Sequence, residues 1–247
     1  MFATEAELVA TWLAQLAKAN RNGKWLVYPE TAGWDLLLVH EDGYQLGIEA
    51  KLSLNAKVLS QALSGSHSWW REDGPDYRAV LVPEGKCQLH MAELARALGI
   101  KVLVCRKPDP YVTYSLELPT QDHDYSSAAW PNWCPSERCK LPEYVPDVVA
   151  GVAGPVQLTP WKVKAIKLLI VLERRGYVTR ADMRALKISP TRWCDHWHGF
   201  LTPGPGRQYL RGDRTPDLRA QHPTNWAQIE ADIDSWVESA GITLTTE

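Results

Sequence analysis

Trp34-Asp35-Leu36-Leu37-Leu38-Val39, the break His40-Glu41-Asp42-Gly43, and Tyr44-Gln45-Leu46-Gly47-Ile48-Glu49-Ala50-Lys51 decide how this chain folds. Each flank is an apolar run of strand length, and the Asp-Gly pair accepts the positive φ of a tight hairpin turn. A period of two places Glu49 and Lys51 on one face and sends Ala50 to the other. With the turn near residues 41 to 43, Asp35 comes opposite the end of the second strand. Two carboxylates and an ammonium then converge at one sheet edge. Hard oxygen donors beside a cationic side chain are the chemistry of a divalent metal and a phosphate.

Outward from this hairpin the chain alternates helices and strands. Thr4 with Glu7 makes a capping box, and Leu8, Trp12, Leu13, Leu16 and Ala17 follow at helical spacing up to Asn22-Gly23. Lys24 to Tyr28 reads as a strand cut by Pro29. Beyond the hairpin, Ser53 or Asn55 caps a helix through Val58, Leu59, Ala62 and Leu63, with Gly65 as its stop. Tyr77–Val82 is a strand, His90–Leu98 a helix closed by Gly99, and Lys101–Cys105 a strand. Residues 111–118 are a candidate edge strand. The order is helix, three strands, helix, strand, helix, strand. It predicts an α/β domain over residues 1–118, with a mixed central sheet flanked by helices: antiparallel at the hairpin and parallel after it.

Asp35 followed by Glu49-Ala50-Lys51, in this element order, resembles the PD-(D/E)XK nuclease superfamily, which has the restriction-endonuclease-like fold. The resemblance covers roughly residues 1–107. It implies that Asp35 and Glu49 bind Mg²⁺ or Mn²⁺ and that Lys51 positions or activates a water. Members often carry a glutamate on the first helix; Glu7 is the nearest match and Glu5 the fallback. Many also place a glutamine on the helix after the lysine, and Gln61 fits. Two departures stand out: Trp34 occupies the place of the motif's proline, and Gly65 that of a tyrosine found in one branch. The bland alternative is a surface Glu–Lys pair with Asp35 as a turn or cap residue. Glu30 reads either as a further acid near the metal or as a turn residue. His67 reads as a phosphate neighbour or as an exposed loop histidine.

The net charge of −2 is unevenly spread. Residues 1–150 hold 14 Lys+Arg against 19 Asp+Glu, residues 151–220 hold 13 against 5, and the last 27 hold none against 5. The basic middle is the candidate for nucleic-acid contact, with a solvated face as its alternative. The longest apolar run, Leu168–Leu172, is far too short for a membrane span, and Glu5 and Glu7 interrupt any signal-peptide layout. A cytoplasmic protein without membrane contact is expected. Five cysteines at this length make no disulfide framework. Cys134-x4-Cys139, with His123, Cys194, His196 and His198, raises the question of zinc, but there is no second tight cysteine pair, so structural zinc is not expected.

Residues 119–157 contain six prolines and read as a linker or irregular extension. Thr159-Pro160 opens a helix that stops at Gly176. Thr179 with Asp182 caps a short second helix, and Ser189-Pro190 opens a third, to about His198. Leu201–Gly206 reads as a turn and Gln208–Leu210 as a strand. Residues 158–214 thus resemble a winged helix in outline. That resemblance implies Thr191, Arg192 and His196 at a major groove, and Arg207 and Arg211 at phosphates. Trp193 and Trp197, at helical i,i+4 spacing, are expected to pack inward. Residues 215–247 predict an amphipathic helix carrying Trp226, Ile229, Ile233, Trp236 and Val237. It would dock on the chain or on a second copy.

Three functional readings follow. The first is a metal-dependent deoxyribonuclease that hydrolyses phosphodiester bonds. The second is a catalytically inactive DNA-binding or adaptor protein on the same fold. The third, which rests on the resemblance, is a protein-interaction component of a mobile-element or phage-defence assembly.

Overall fold

The computed structural model describes residues 2–19, 24–63, 73–108, 116, 118–119, 130–148, 158–195 and 197–244. Two compact units divide the chain, Met1–Pro155 and Val156–Glu247.

The first unit runs α1 (Glu5–Ala19), β1 (Trp25–Thr31), β2 (Trp34–His40), β3 (Gln45–Ala50), α2 (Ala56–Leu63), β4 (Tyr77–Pro83), α3 (Leu89–Ala97) and β5 (Lys101–Cys105). The five strands lie in sequence order in one sheet. β1, β2 and β3 are antiparallel; β3, β4 and β5 are parallel. This mixed sheet flanked by helices is the α/β architecture expected from the hairpin, and it agrees with a restriction-endonuclease-like layout. The 40–44 turn closes as predicted, with Gly43 N–H donating to His40 O at 2.8 Å and Gly43 at φ 86°.

Alternation assigns the faces. Leu36, Leu38, Leu46 and Ile48 meet Leu8, Trp12 and Leu16 of α1. Leu37, Val80 and Val82 meet Val58, Leu59 and Ala62 of α2 and Ala95 of α3. Each such side chain contributes roughly 1.5–3 kcal/mol by leaving water. Asn55, through Oδ1, accepts from Val58 N at 3.1 Å and is the cap of α2.

β1 departs from expectation. It continues through Pro29 to Thr31, paired with β2 from Trp25↔His40 to Thr31↔Trp34. Among the described strands β1 pairs only with β2, and an edge strand tolerates a missing N–H. Ala32 (φ 55°) and Gly33 (φ 86°) then form a second tight hairpin with both central residues left-handed.

Residues 130–148, part of the stretch read as a linker or irregular extension, pack within the first unit. The Trp133 indole donates to Gly99 O at 3.0 Å, and Arg138 holds Asp76 through two bonds of 2.8 and 2.9 Å. Gln45 and Cys139 exchange side-chain and backbone bonds of 2.9 and 2.8 Å. Behind them Arg78 is buried, its guanidinium over the Trp133 ring at 4.2 Å. It donates to Ala62 O and Leu63 O, both at 3.1 Å. The last carbonyls of α2, where the helix dipole is negative, thus receive a positive charge. The candidate strand at 111–118 lies largely outside the described residues.

The second unit runs α4 (Pro160–Arg175), β6 (Val178–Thr179), α5 (Arg180–Ala185), α6 (Pro190–Cys194), β7 (Leu201–Pro203), β8 (Gln208–Arg211), α7 (Leu218–Gln221), α8 (Pro223–Ala231) and α9 (Ile233–Ala240). Its antiparallel sheet has the order β6-β8-β7. Thr159 caps α4 and left-handed Gly176 ends it, and Thr179 with Asp182 makes the predicted capping box. Arg175 and Asp182 form a buried ion pair that also meets Thr179.

Four expectations are corrected in this unit. Leu201–Pro203 is a strand rather than a turn, because it pairs with Tyr209–Arg211. α6 ends at Cys194, because Asp195 leaves the helical region at ψ 134°. Trp193 is buried but Trp197 is exposed, since the break at Asp195 removes the i,i+4 relation. The C-terminal amphipathic segment is two helices broken at Asp232. α8 packs against α4, and the Trp236 indole donates to Ile229 O at 2.8 Å, so the apolar stripe is largely used inside the unit. No described helix is long and apolar enough to cross a membrane.

Candidate active site

The candidate site lies where β2 begins, β3 ends and α1 starts. The β2–β3 register pairs Leu36 with Ile48 and so sets Asp35 opposite Glu49. The β1–β2 register, from Pro29↔Leu36 and Thr31↔Trp34, sets Glu30 opposite Asp35. Three acids therefore lie in a row across three strands. Glu30 sits at φ 46°, in the left-handed region, beside the tight turn.

Lys51, just past β3, joins this row to α1. Its Nζ lies 2.9 Å from Glu5 Oε2 and 3.7 Å from Asp35 Oδ2. The same Asp35 oxygen accepts from Ala50 N at 2.7 Å, which fixes the carboxylate against the end of β3. Asp35 and Lys51 side chains are 17% and 24% exposed, open enough for a ligand and dry enough to strengthen charge interactions.

Glu49 is buried. Burial first, and then the charges of Asp35, Glu30 and Glu5, push its carboxyl up to about 8, against the opposing pull of Lys51. Burial also acts to lower Lys51, but the Glu5 hydrogen bond and the charges of Asp35, Glu5 and Glu49 outweigh it, and the group is raised. The surrounding carboxylates thus favour the ammonium form of Lys51. Held by Glu5 and beside Asp35, it stands where it can donate to a negatively charged ligand.

The first-helix acid beside Lys51 is Glu5, and Glu7 is directed elsewhere. Glu7 Oε2 accepts from Ala3 N at 2.7 Å and Oε1 from Lys107 at 2.8 Å, while Glu7 N donates to Thr4 Oγ1 at 3.1 Å. The capping geometry that Thr4 and Glu7 announce in sequence turns the Glu7 carboxylate back toward the helix start, so it cannot also reach Lys51. Gln61 lies on α2, which packs on β3 and β4. Its Oε1 is buried without a hydrogen-bond partner, and no bond joins it to the acid row among the described residues. His67 lies outside the described residues.

The carboxylates suit a hard cation in kind. A buried acid crowded by two strand carboxylates and Glu5 is relieved by added positive charge. Asp35 and Glu49 are neighbours across the β2–β3 pair. Among the described residues, however, no group of three or more His, Cys, Asp or Glu is arranged to hold a metal. Cys134 is exposed and Cys139 half-buried, and all five cysteines are free thiols; His123 and His196 lie outside the described residues.

In the second unit Thr191 and Arg192 are exposed on α6, with the Arg192 guanidinium 5.2 Å from the Phe200 ring. Arg207 is exposed in the turn between β7 and β8, and Arg211 on β8 pairs with Glu173 at 3.2 Å. Sequence reasoning missed Arg214, which bonds the 197–198 turn, and the buried Arg78. An arginine inside an otherwise apolar strand, Tyr77-Arg78-Ala79-Val80, was the available signal for the latter.

No family model matches this sequence, and no curated protein matches it. A repair endonuclease from Pyrococcus abyssi has a crystal structure that aligns with 40% of this chain and 47% of its own, at 15% identity and a TM-score of 0.31. The chain therefore spans less than half of that protein's length.

Proposed function

We propose that this protein is a metal-dependent deoxyribonuclease of the PD-(D/E)XK type, with a winged-helix-like second unit that contacts DNA. The observation that carries the reading is the convergence of Asp35, Glu49, Lys51 and Glu5 at one end of the sheet. Asp35 and Glu49 would hold Mg²⁺ or Mn²⁺, which when bound polarises the phosphodiester and acidifies a water. A cation bound through one or two carboxylates completes its shell with waters and substrate phosphate. Lys51 donates hydrogen bonds to the oxygens that gain charge as the bond breaks. Glu5 holds Lys51 in place, so it is a positioning residue.

The helix–strand–helix–helix–strand–strand order of α4 to β8 supports the winged-helix-like reading. Thr191 and Arg192 then face a groove, and Arg207 and Arg211 meet backbone phosphate. His196 keeps the same proposed role on sequence grounds alone.

The test is cleavage of linear, circular and single-stranded DNA with Mg²⁺ or Mn²⁺. Wild type cuts, whereas Asp35→Ala and Lys51→Ala lose at least about 100-fold. Unchanged cleavage in both variants removes the site assignment. The same assay decides the alternative, a non-cleaving DNA-binding protein on this fold. Salt-sensitive DNA binding without cleavage in either metal would establish it.

A further inference from the structure

The turn that follows α6 combines a rigid backbone with an exposed aromatic residue. Asp195 Oδ1 accepts from Trp197 N at 2.9 Å and from His198 N at 2.6 Å. Gly199 N donates to Asp195 O at 3.0 Å. A Cβ at Gly199 would come within 2.4 Å of that same carbonyl oxygen, so the turn requires glycine. Arg214 Nη1 lies 3.1 Å from Trp197 O and 3.0 Å from His198 Nδ1. The backbone of Trp197 is therefore held from both sides, yet the residue is 78% exposed. Exposing so large an aromatic forgoes roughly 2 kcal/mol of burial.

The surroundings point to a polyanion. Arg192 and Arg214 are exposed on either side of the turn in sequence, and Arg192 covers the Phe200 ring. Phe200 packs edge-on against buried Trp193 at 5.2 Å, which gives the turn a firm base. Residues 151–220 carry 13 basic against 5 acidic side chains.

We propose that Trp197 is a stacking platform for an unpaired base of DNA, with Arg192 and Arg214 meeting the adjoining phosphates. A duplex keeps its base faces against one another and shows a protein only phosphates and groove edges. An indole face gains little from those. It gains from an open π-face, which DNA offers at a single-stranded segment, a flap or a frayed end. The inference deepens the proposed DNA contact of the second unit and rests on that reading; it does not depend on cleavage.

The test is fluorescence anisotropy with the full chain in EDTA, using one labelled oligonucleotide as a single strand and as a blunt duplex. Trp197→Ala is expected to weaken single-strand binding by about 5- to 100-fold while duplex binding stays within about twofold. Trp197→Phe should recover part of the loss. Arg192→Gln should weaken both forms and flatten their salt dependence. Unchanged melting temperatures exclude misfolding, because an exposed indole supports little of the core. Equal losses on the two forms, or none on the single strand, overturn the stacking role while leaving DNA contact in place. Wild-type protein that binds neither form overturns the DNA-contact reading together with it.

Discussion

Glu49 concentrates the electrostatic cost of the candidate site. With its carboxyl raised to about 8, the folded state binds more protons than the unfolded chain between about pH 4.5 and 8. Stability must then fall as pH rises through that window. Glu49→Gln removes this penalty. In EDTA the variant should match wild type near pH 4 and exceed it by an amount on the order of 2 kcal/mol at pH 8, discounted for the solvent that still reaches the site. Thermal melts at the two pH values measure it; a constant difference would mean that the charge of Glu49 is not what strains the site. Gly47 tests packing instead. A Cβ there would stand 2.4 Å from the Trp34 ring, next in sequence to Asp35. Gly47→Ala should therefore cost about 1–3 kcal/mol in urea unfolding, and it should lower cleavage by shifting Asp35.

At the scale of elements, the start of α1 separates two neighbouring glutamates. Glu5 faces Lys51 and Glu7 caps the helix. Glu5→Gln should reduce cleavage by about 10- to 100-fold with little change in melting temperature, since a displaced charge at a reacting centre costs rate. Glu7→Gln should do the reverse, lowering the melting temperature and sparing the rate. A swapped pattern would return the catalytic role to Glu7. In the second unit the Arg175–Asp182 pair ties the end of α4 to the capping box of α5, and both side chains are buried. Asp182→Ala leaves a buried guanidinium with backbone carbonyls alone and should cost about 3–5 kcal/mol, read as loss of cooperative unfolding in this unit.

For the whole molecule, charge is divided between the units. The first unit carries 14 basic and 19 acidic residues and the second 13 and 10, so the net charge changes sign between them, and the basic excess of the second lies before its acidic C-terminal segment. If the second unit carries the electrostatic attraction to DNA, Arg207→Gln combined with Arg211→Gln should reduce the slope of log affinity against log salt by about 2. The measurement is duplex affinity between about 50 and 200 mM salt. An unchanged slope would place DNA contact elsewhere.

Local chemistry was enough for a large part of this protein. The 40–44 turn, the apolar strand run of Leu36 to Val39, the caps at Asn55, Thr159 and Thr179 and the stop at Gly176 each act within a few residues, so apolar runs and turn residues announce them. Those same rules set Asp35 opposite Glu49. Tertiary structure alone decided which acid of α1 meets Lys51, because two glutamates a helical half-turn apart differ only in where a cap sends one of them. It decided that Trp193 is buried and Trp197 exposed, because one hydrogen-bonding aspartate ended the helix between them. It also placed Arg138 on Asp76 and Trp133 over Arg78. Contacts between residues far apart in sequence leave no period to read; they form only when the sheet has brought those positions together.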